Sequence, residues 1–348
     1  MKNESQIPEE KPKRIYWLDH ARGYIMIMLV VTMFLPRALR EGLLRFFLEH
    51  PENSTTTTTM NFFDIGTPAF ILIMGLLMPL SFRRRKEKSG TGSAVTHMLI
   101  RYGIILGLGL LVFIIDGGEF IKTDNGVPVI IAGIPVIRWD VLPTLGLVGF
   151  IALPFLWLKS KPRALAATGM IIFYQIMLIF TEWRDYAIAS VHGGILGTIF
   201  GFSAQMIYAT CAGDYLLLNE KVKEKKKYAI FAIIGALVFA LGFILWPLPE
   251  MYPNKRQVTL TYILISSGAS ILIAFVFIAI DKKLQKPIFV LDSYGKSLFL
   301  VYIVAIVLEF LIVDIIGYEI DWIIGLSVIA LITAMVLILD RKEVVVKL

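Results

Sequence analysis

Four histidines and a few acidic residues carry most of the chemistry this sequence can offer. His50 precedes the apolar run that opens at Asp64, and His192 stands before Gly193-Gly194 at the head of another. An unperturbed imidazole titrates near pH ~6.5, so either residue could accept a proton near neutrality. Asp64, Pro68, Leu72 and Gly75 recur at helical spacing and fall on one face. At that place Asp64 could complement the helix dipole or orient an imidazole, as carboxylates do in catalytic triads. Glu309 follows Tyr302 by seven residues on one face of a further apolar run, directed into a helix bundle. Asp19 and Arg22, three apart, can pair on a helix surface, either as an interfacial ion pair or as a clamp at the mouth of a cofactor tunnel. His20 and His97 fall at the other ends of their segments, where a solvated or head-group role is expected. The sequence has no zinc-binding helix motif, Walker loop, dinucleotide fingerprint or Gly-x-Ser-x-Gly elbow. Its one cysteine, Cys211, excludes an internal disulfide and a cysteine metal cluster. Catalysis by such a chain needs no metal; it would use a histidine or carboxylate base on a group that arrives already activated.

The elements that must position these residues are membrane helices. Of 348 residues, 57% are hydrophobic and only 18% charged, against about 25% charged in soluble domains. Together with a mean hydropathy of +0.74, this excludes a soluble enzyme and a disordered chain. Ten apolar segments stand out, at about 20–37, 61–82, 95–115, 141–158, 164–182, 193–213, 228–247, 258–280, 296–313 and 322–340, each near the ~20 residues a crossing helix needs. The expected fold is therefore an all-α polytopic bundle of about ten transmembrane helices. It forms one domain over 1–348, with a short polar N-terminus (1–14) and no signal peptide. With ten crossings and cytoplasmic termini, 26 of the 34 basic residues lie on the inner side, a strong positive-inside bias. That distribution accounts for the net charge of +7 and excludes nucleic acid as the partner. The outer loops are 37–60 and 116–140; the first carries an amphipathic stretch at Gly42–Leu48 and the Thr55–Thr59 run, the second the turn-forming Asp124-Asn125-Gly126. No internal repeat supports an inverted-repeat transporter.

Two stretches resemble the transmembrane acyltransferases. Leu18-Asp19-His20-Ala21-Arg22-Gly23 is similar to the Leu-Asp-x-x-Arg-Gly start of their first span. Asp64-Ile65-Gly66-Thr67-Pro68-Ala69-Phe70, running on to Met74-Gly75, resembles the second span of the heparan-α-glucosaminide N-acetyltransferase-like branch. Weaker echoes follow in order at Arg101, Val141-Leu142, Gly194–Thr198, Pro253-Asn254-Lys255, Gly295–Leu298 and Tyr302. The resemblance implies that acetyl-CoA is used from the cytoplasmic face and that the acetyl group reaches a sugar or glycan on the far side. It implies a catalytic histidine in the outer loop before the Asp-x-x-x-Pro helix, which here is His50 within Leu48-Glu49-His50-Pro51-Glu52. The chain departs from the family at Val31-Thr32, Pro143-Thr144 and Val191-His192-Gly193-Gly194, which keeps His192 as the reserve base beside Glu309.

On this reading His50 acts as base or acyl carrier and Asp64 orients it. Arg22, Arg101 and Lys296 could meet the phosphates of the cofactor, although positive-inside topology explains those charges equally well. The partners are a small-molecule or glycan acceptor and membrane lipids, with a homodimer left open. The expected location is a bacterial plasma membrane with both termini cytoplasmic. Two rival readings are a multi-pass transporter with Asp64 and Glu309 along a polar path, and an acyltransferase-like scaffold without catalysis.

Overall fold

A computed structural model describes residues 15–35, 60–115, 120–190, 192–317 and 320–344. His50, the amphipathic stretch and the threonine run lie outside the described residues. The protein is all-α, 79% helical over the described residues, and the strands among them form two short hairpins in the 120–139 loop. Each hairpin turns on a pair of left-handed residues, Asn125-Gly126 and Ala132-Gly133, the first being the turn expected from sequence. All ten apolar segments fall on helices. Among the described residues six helices are long and apolar enough to cross a membrane, or up to seven if one sharply bent pair counts as a span.

The helices are α1 (Tyr16–Phe34), α2 (Gly66–Ile115), α3 (Val141–Ala152), α4 (Ser160–Phe180), α5 (Trp183–Ala189), α6 (Gly194–Leu218), α7 (Glu224–Leu245), α8 (Leu260–Leu284), α9 (Phe289–Lys296), α10 (Leu298–Phe310) and α11 (Trp322–Arg341). At 50 residues, α2 would be about 75 Å long if straight, more than twice the ~30 Å hydrocarbon thickness. It breaks at Gly90, whose φ of 85° and ψ of 168° suit a residue without a Cβ. Beyond the break the second arm returns along the first. Arg85 Nε donates to Ser93 Oγ at 3.4 Å, and Met74 and Ile105, from the two arms, border one cavity.

α1 sits inside the bundle, packed on α9, α8, α10, α11 and α2, which buries Trp17, Leu18, Met26, Val30 and Phe34. Close approach to α9 depends on two glycines facing opposite ways. A Cβ on Gly23 would lie 1.9 Å from the Leu291 carbonyl oxygen, and one on Gly295 would lie 2.1 Å from that of Asp19. Small residues at such contacts let membrane helices pack backbone to backbone, where lipid offers no hydrophobic drive. His20 belongs to the same contact. The sequence suggested a solvated or head-group role, but it is fully buried, and its Nε2 accepts the Ile288 amide at 2.9 Å. That amide opens α9, and the first amides of a helix need partners from outside it. The close packing of α1 on α9 therefore removed His20 from water.

Between α9 and α10 the chain bends by 81° at Ser297. α7 shows the opposite character to α1: Ile233, Ile234, Leu237, Leu241 and Ile244 are all exposed, as a lipid-facing helix requires.

Candidate functional site

Two cavities occupy opposite ends of the bundle and differ in charge. The first, of about 490 Å³, is bordered by the starts of α2, α3, α6 and α8 and by the late turns of α1 and α10. Asp64, Asp140, His192, Lys255 and Glu309 line it. Four of these approach from separate loops that precede helices; Glu309 approaches from within α10.

Asp64 is fixed on several sides. It lies in a 3-10 turn, Phe62–Ile65, just before α2, and is 1% exposed. Its Oδ2 accepts the Asn61 amide at 2.8 Å, its Oδ1 is 3.4 Å from Lys255 Nζ, and its backbone carbonyl accepts the Tyr262 hydroxyl at 2.7 Å. The capping role expected from sequence and a place in the cavity are thus combined in one side chain.

Asp140 and His192 form a second pair, Oδ1 to Nε2 at 3.5 Å. Asp140 caps α3 through the Val141 amide at 2.7 Å. Its side chain is nonetheless 49% exposed, because what it faces is the cavity. Burial pushes its carboxyl up, but His192, the Val141 amide and Lys255 outweigh that and hold it below the usual carboxylate range. His192 is buried in left-handed backbone at φ 52°, followed by Gly193 at 70° and Gly194 at 59°. A non-glycine residue in that region is uncommon and costs on the order of 1 kcal/mol, a cost often found at functional sites.

What brings Asp140 and His192 together is a buried polar lock one residue away. Trp139 Nε1 donates to Thr144 Oγ1 at 2.9 Å and to Thr198 Oγ1 at 2.8 Å. The two hydroxyls donate onward to the carbonyls of Asp140 at 2.8 Å and Gly194 at 2.9 Å. Thr198 lies in a π-helical turn, Gly197–Phe202, a distortion that recurs at functional sites. The start of α3 is thereby tied to the start of α6.

The second cavity, about 690 Å³, is lined by Arg22, Arg84, Arg85, Lys88, His97, Arg101 and Lys296. Among the described residues no carboxylate lines it. Arg22 leans on Asp19 at 3.5 Å, the pair expected from sequence. Lys296 is committed to Asp292 at 2.7 Å and Asp340 at 2.6 Å, so it ties α9 to α11 at the cavity edge. Arg101 Nε is buried with no hydrogen-bond partner among the described residues. Guanidinium forks in a concave site are suited to phosphate.

The placement of the sequence candidates is therefore uneven. Asp64, His192 and Glu309 meet in one cavity; Arg22, Arg101 and Lys296 meet in the other; His50 lies outside the described residues. Reading by sequence missed Asp140, which looks like an ordinary helix cap before Val141. It noted Lys255 only within a motif. Arg84, Arg85 and Lys88 were absorbed into the topology count, although four cations within the five residues 84–88 at a predicted turn were a usable signal. Among the described residues no group of three or more metal-ligating side chains occurs.

A family model described as heparan-alpha-glucosaminide N-acetyltransferase, catalytic, matches residues 14–193, just over half the chain. The matched stretch includes Asp64, Asp140, His192 and the cations from Arg22 to Arg101. No curated protein matches the chain.

Proposed function

Because the chain belongs to the heparan-alpha-glucosaminide N-acetyltransferase family, we propose that it is a membrane acetyltransferase working across the bilayer. Acetyl-CoA is the donor at the basic cavity, and an amino or hydroxyl group of a sugar is the acceptor at the carboxylate cavity. The observation that carries this reading is the pair of cavities itself: opposite in charge, at opposite ends of the bundle, and adjoining inside it. The proposal includes ten crossings with cytoplasmic termini, for which the positive-inside bias and the ten helical segments are the support. Under that orientation the basic cavity faces the cytoplasm, where CoA is found.

The residues fit the donor. Arg22, Arg84, Arg85, Lys88 and Arg101 offer forked and point charges to its phosphates. The acceptor nitrogen or oxygen, entering from the other cavity, attacks the acetyl carbonyl carbon. A C–N or C–O bond forms, the C–S bond breaks, and CoA departs as a thiolate that takes the proton back from the imidazolium, leaving as its thiol. The acceptor proton passes to an imidazole: His50, as the family resemblance implies, or His192, whose partner Asp140 would orient the ring and stabilise its charged form. An acetyl-histidine on His50 is an alternative route to the same product. Lys255 offers a positive charge to the carbonyl oxygen as it becomes an oxyanion.

The test is CoA release by purified protein in detergent, with and without glucosamine, for wild type, His50→Ala and His192→Ala. Sugar-dependent release that disappears in one histidine variant supports the reading and identifies the base. Folded wild-type protein that releases no CoA with any sugar overturns it and returns the choice to a transporter or a non-catalytic scaffold.

A further inference from the structure

The two cavities adjoin. Among the described residues, Phe70 on the first arm of α2 and Tyr302 on α10 are the two side chains that border both. They are 4% and 7% exposed and stand on buried neighbours, Ala69 and Ile71 on one helix and Val301 and Ala305 on the other. Phe70 lies six residues beyond Asp64, and Tyr302 lies seven before Glu309, about 10 Å along α10. The side chains thus stand between the carboxylate cavity and the cation-lined one.

We propose that Phe70 and Tyr302 form the aperture at which the thioester is held, and that they position it while keeping water out of the passage. The inference rests on the acetyltransferase reading above. If cations hold the phosphates at one end and the nucleophile enters at the other, the reacting carbonyl has to lie where the two spaces meet. Two large rings at that point can grip a slender thioester arm on both sides and leave no room beside it. Tyr302 shares the first cavity with Asp140 and Glu309, so the aperture opens onto the carboxylate side. Close-packed interiors do not yield to extra volume, so filling or emptying this point should have opposite and distinct effects.

Phe70→Trp fills the aperture. It is expected to leave CoA affinity, measured by calorimetry, within about 3-fold of wild type, because the cations are untouched, while transfer to glucosamine falls at least 100-fold. Phe70→Ala empties it. Water then replaces the sugar as acceptor, giving acetate and CoA, and sugar-independent CoA release is expected to rise 10-fold or more. Tyr302→Ala repeats the emptying from the other helix and serves if Phe70→Ala does not fold. Wild-type transfer by Phe70→Trp, or CoA binding lost in step with transfer, overturns the inference, as does unchanged hydrolysis in both alanine variants. If wild type neither binds CoA nor transfers acetyl, the failure lies in the acetyltransferase reading; if it does both and the variants match it, only the aperture is refuted.

Discussion

Thr198→Val isolates the lock that brings Asp140 to His192. Valine has the shape of threonine, so no cavity forms and the change removes only the hydroxyl. That hydroxyl accepts from Trp139 Nε1 at 2.8 Å and donates to the Gly194 carbonyl at 2.9 Å. Trp139 keeps its bond to Thr144 at 2.9 Å, so no indole N–H is orphaned. Two bonds at about 1 kcal/mol net each give an expected loss of about 1–2 kcal/mol. At roughly 2–4 °C per kcal/mol for large domains, the midpoint of a thermal melt should fall by a few degrees. Melting in detergent at one scan rate, followed by tryptophan fluorescence, reads this directly. The activity change should be larger than the stability change implies, because Gly194 lies two residues from His192 and the carbonyl of Asp140 receives the other half of the lock. A fall in kcat of about tenfold, or 1.4 kcal/mol in the barrier, with CoA affinity unchanged, is the expected signature. A lowered melt with normal kcat would refute the idea that the lock positions the site. Loss of CoA affinity would show that the change damages the bundle as a whole.

Other expectations follow from the same contacts. Arg84→Ala and Arg85→Ala should each weaken CoA binding by about tenfold, as the loss of a charge-assisted bond of roughly 1.5 kcal/mol implies, and the loss should shrink at high salt; calorimetry at two ionic strengths checks both. Gly23→Ala places a Cβ 1.9 Å from the Leu291 carbonyl, an overpacking expected to cost about 1–3 kcal/mol and to lower the yield of monodisperse protein on size-exclusion. Asp140 titrates below its unfolded value, so its ionised form favours the folded state. That contribution is complete above about pH 4 and disappears as pH falls through the lower, folded value. Asp140→Asn should therefore be less stable than wild type at neutral pH, and the gap should close in acid; an undiminished gap at pH 3 contradicts the assignment.

The bundle was largely legible because a bilayer imposes its demand on the chain one segment at a time. Each crossing must satisfy its own backbone and present apolar side chains, so ten segments could be marked without any knowledge of their packing. Asp64, His192 and Glu309 were legible for the complementary reason: an ionisable group beside or within such a segment is costly and calls for an explanation. Asp140 was not, since a carboxylate before a helix already has an ordinary use as a cap. His20 was misplaced because its burial depends on Gly23 and Gly295 allowing α9 to lie against α1, a contact between residues far apart in sequence. The basic cavity was hidden differently. Its arginines serve the positive-inside rule, and only the return of the second arm of α2 at Gly90 shows that Arg84 and Arg101 face one space. The bend at Ser297, after which Tyr302 borders both cavities as Phe70 does, had no clear mark in the apolar run.

Transfer across the bilayer can be measured directly in sealed proteoliposomes, with labelled acetyl-CoA on one face and glucosamine on the other. Labelled acetylglucosamine should accumulate on the sugar's side only, from vesicles whose cytoplasmic face meets the donor, and should be absent with an inactive histidine variant. Product that forms only when donor and sugar share a face would contradict two cavities joined across the membrane, and so would label crossing as intact acetyl-CoA.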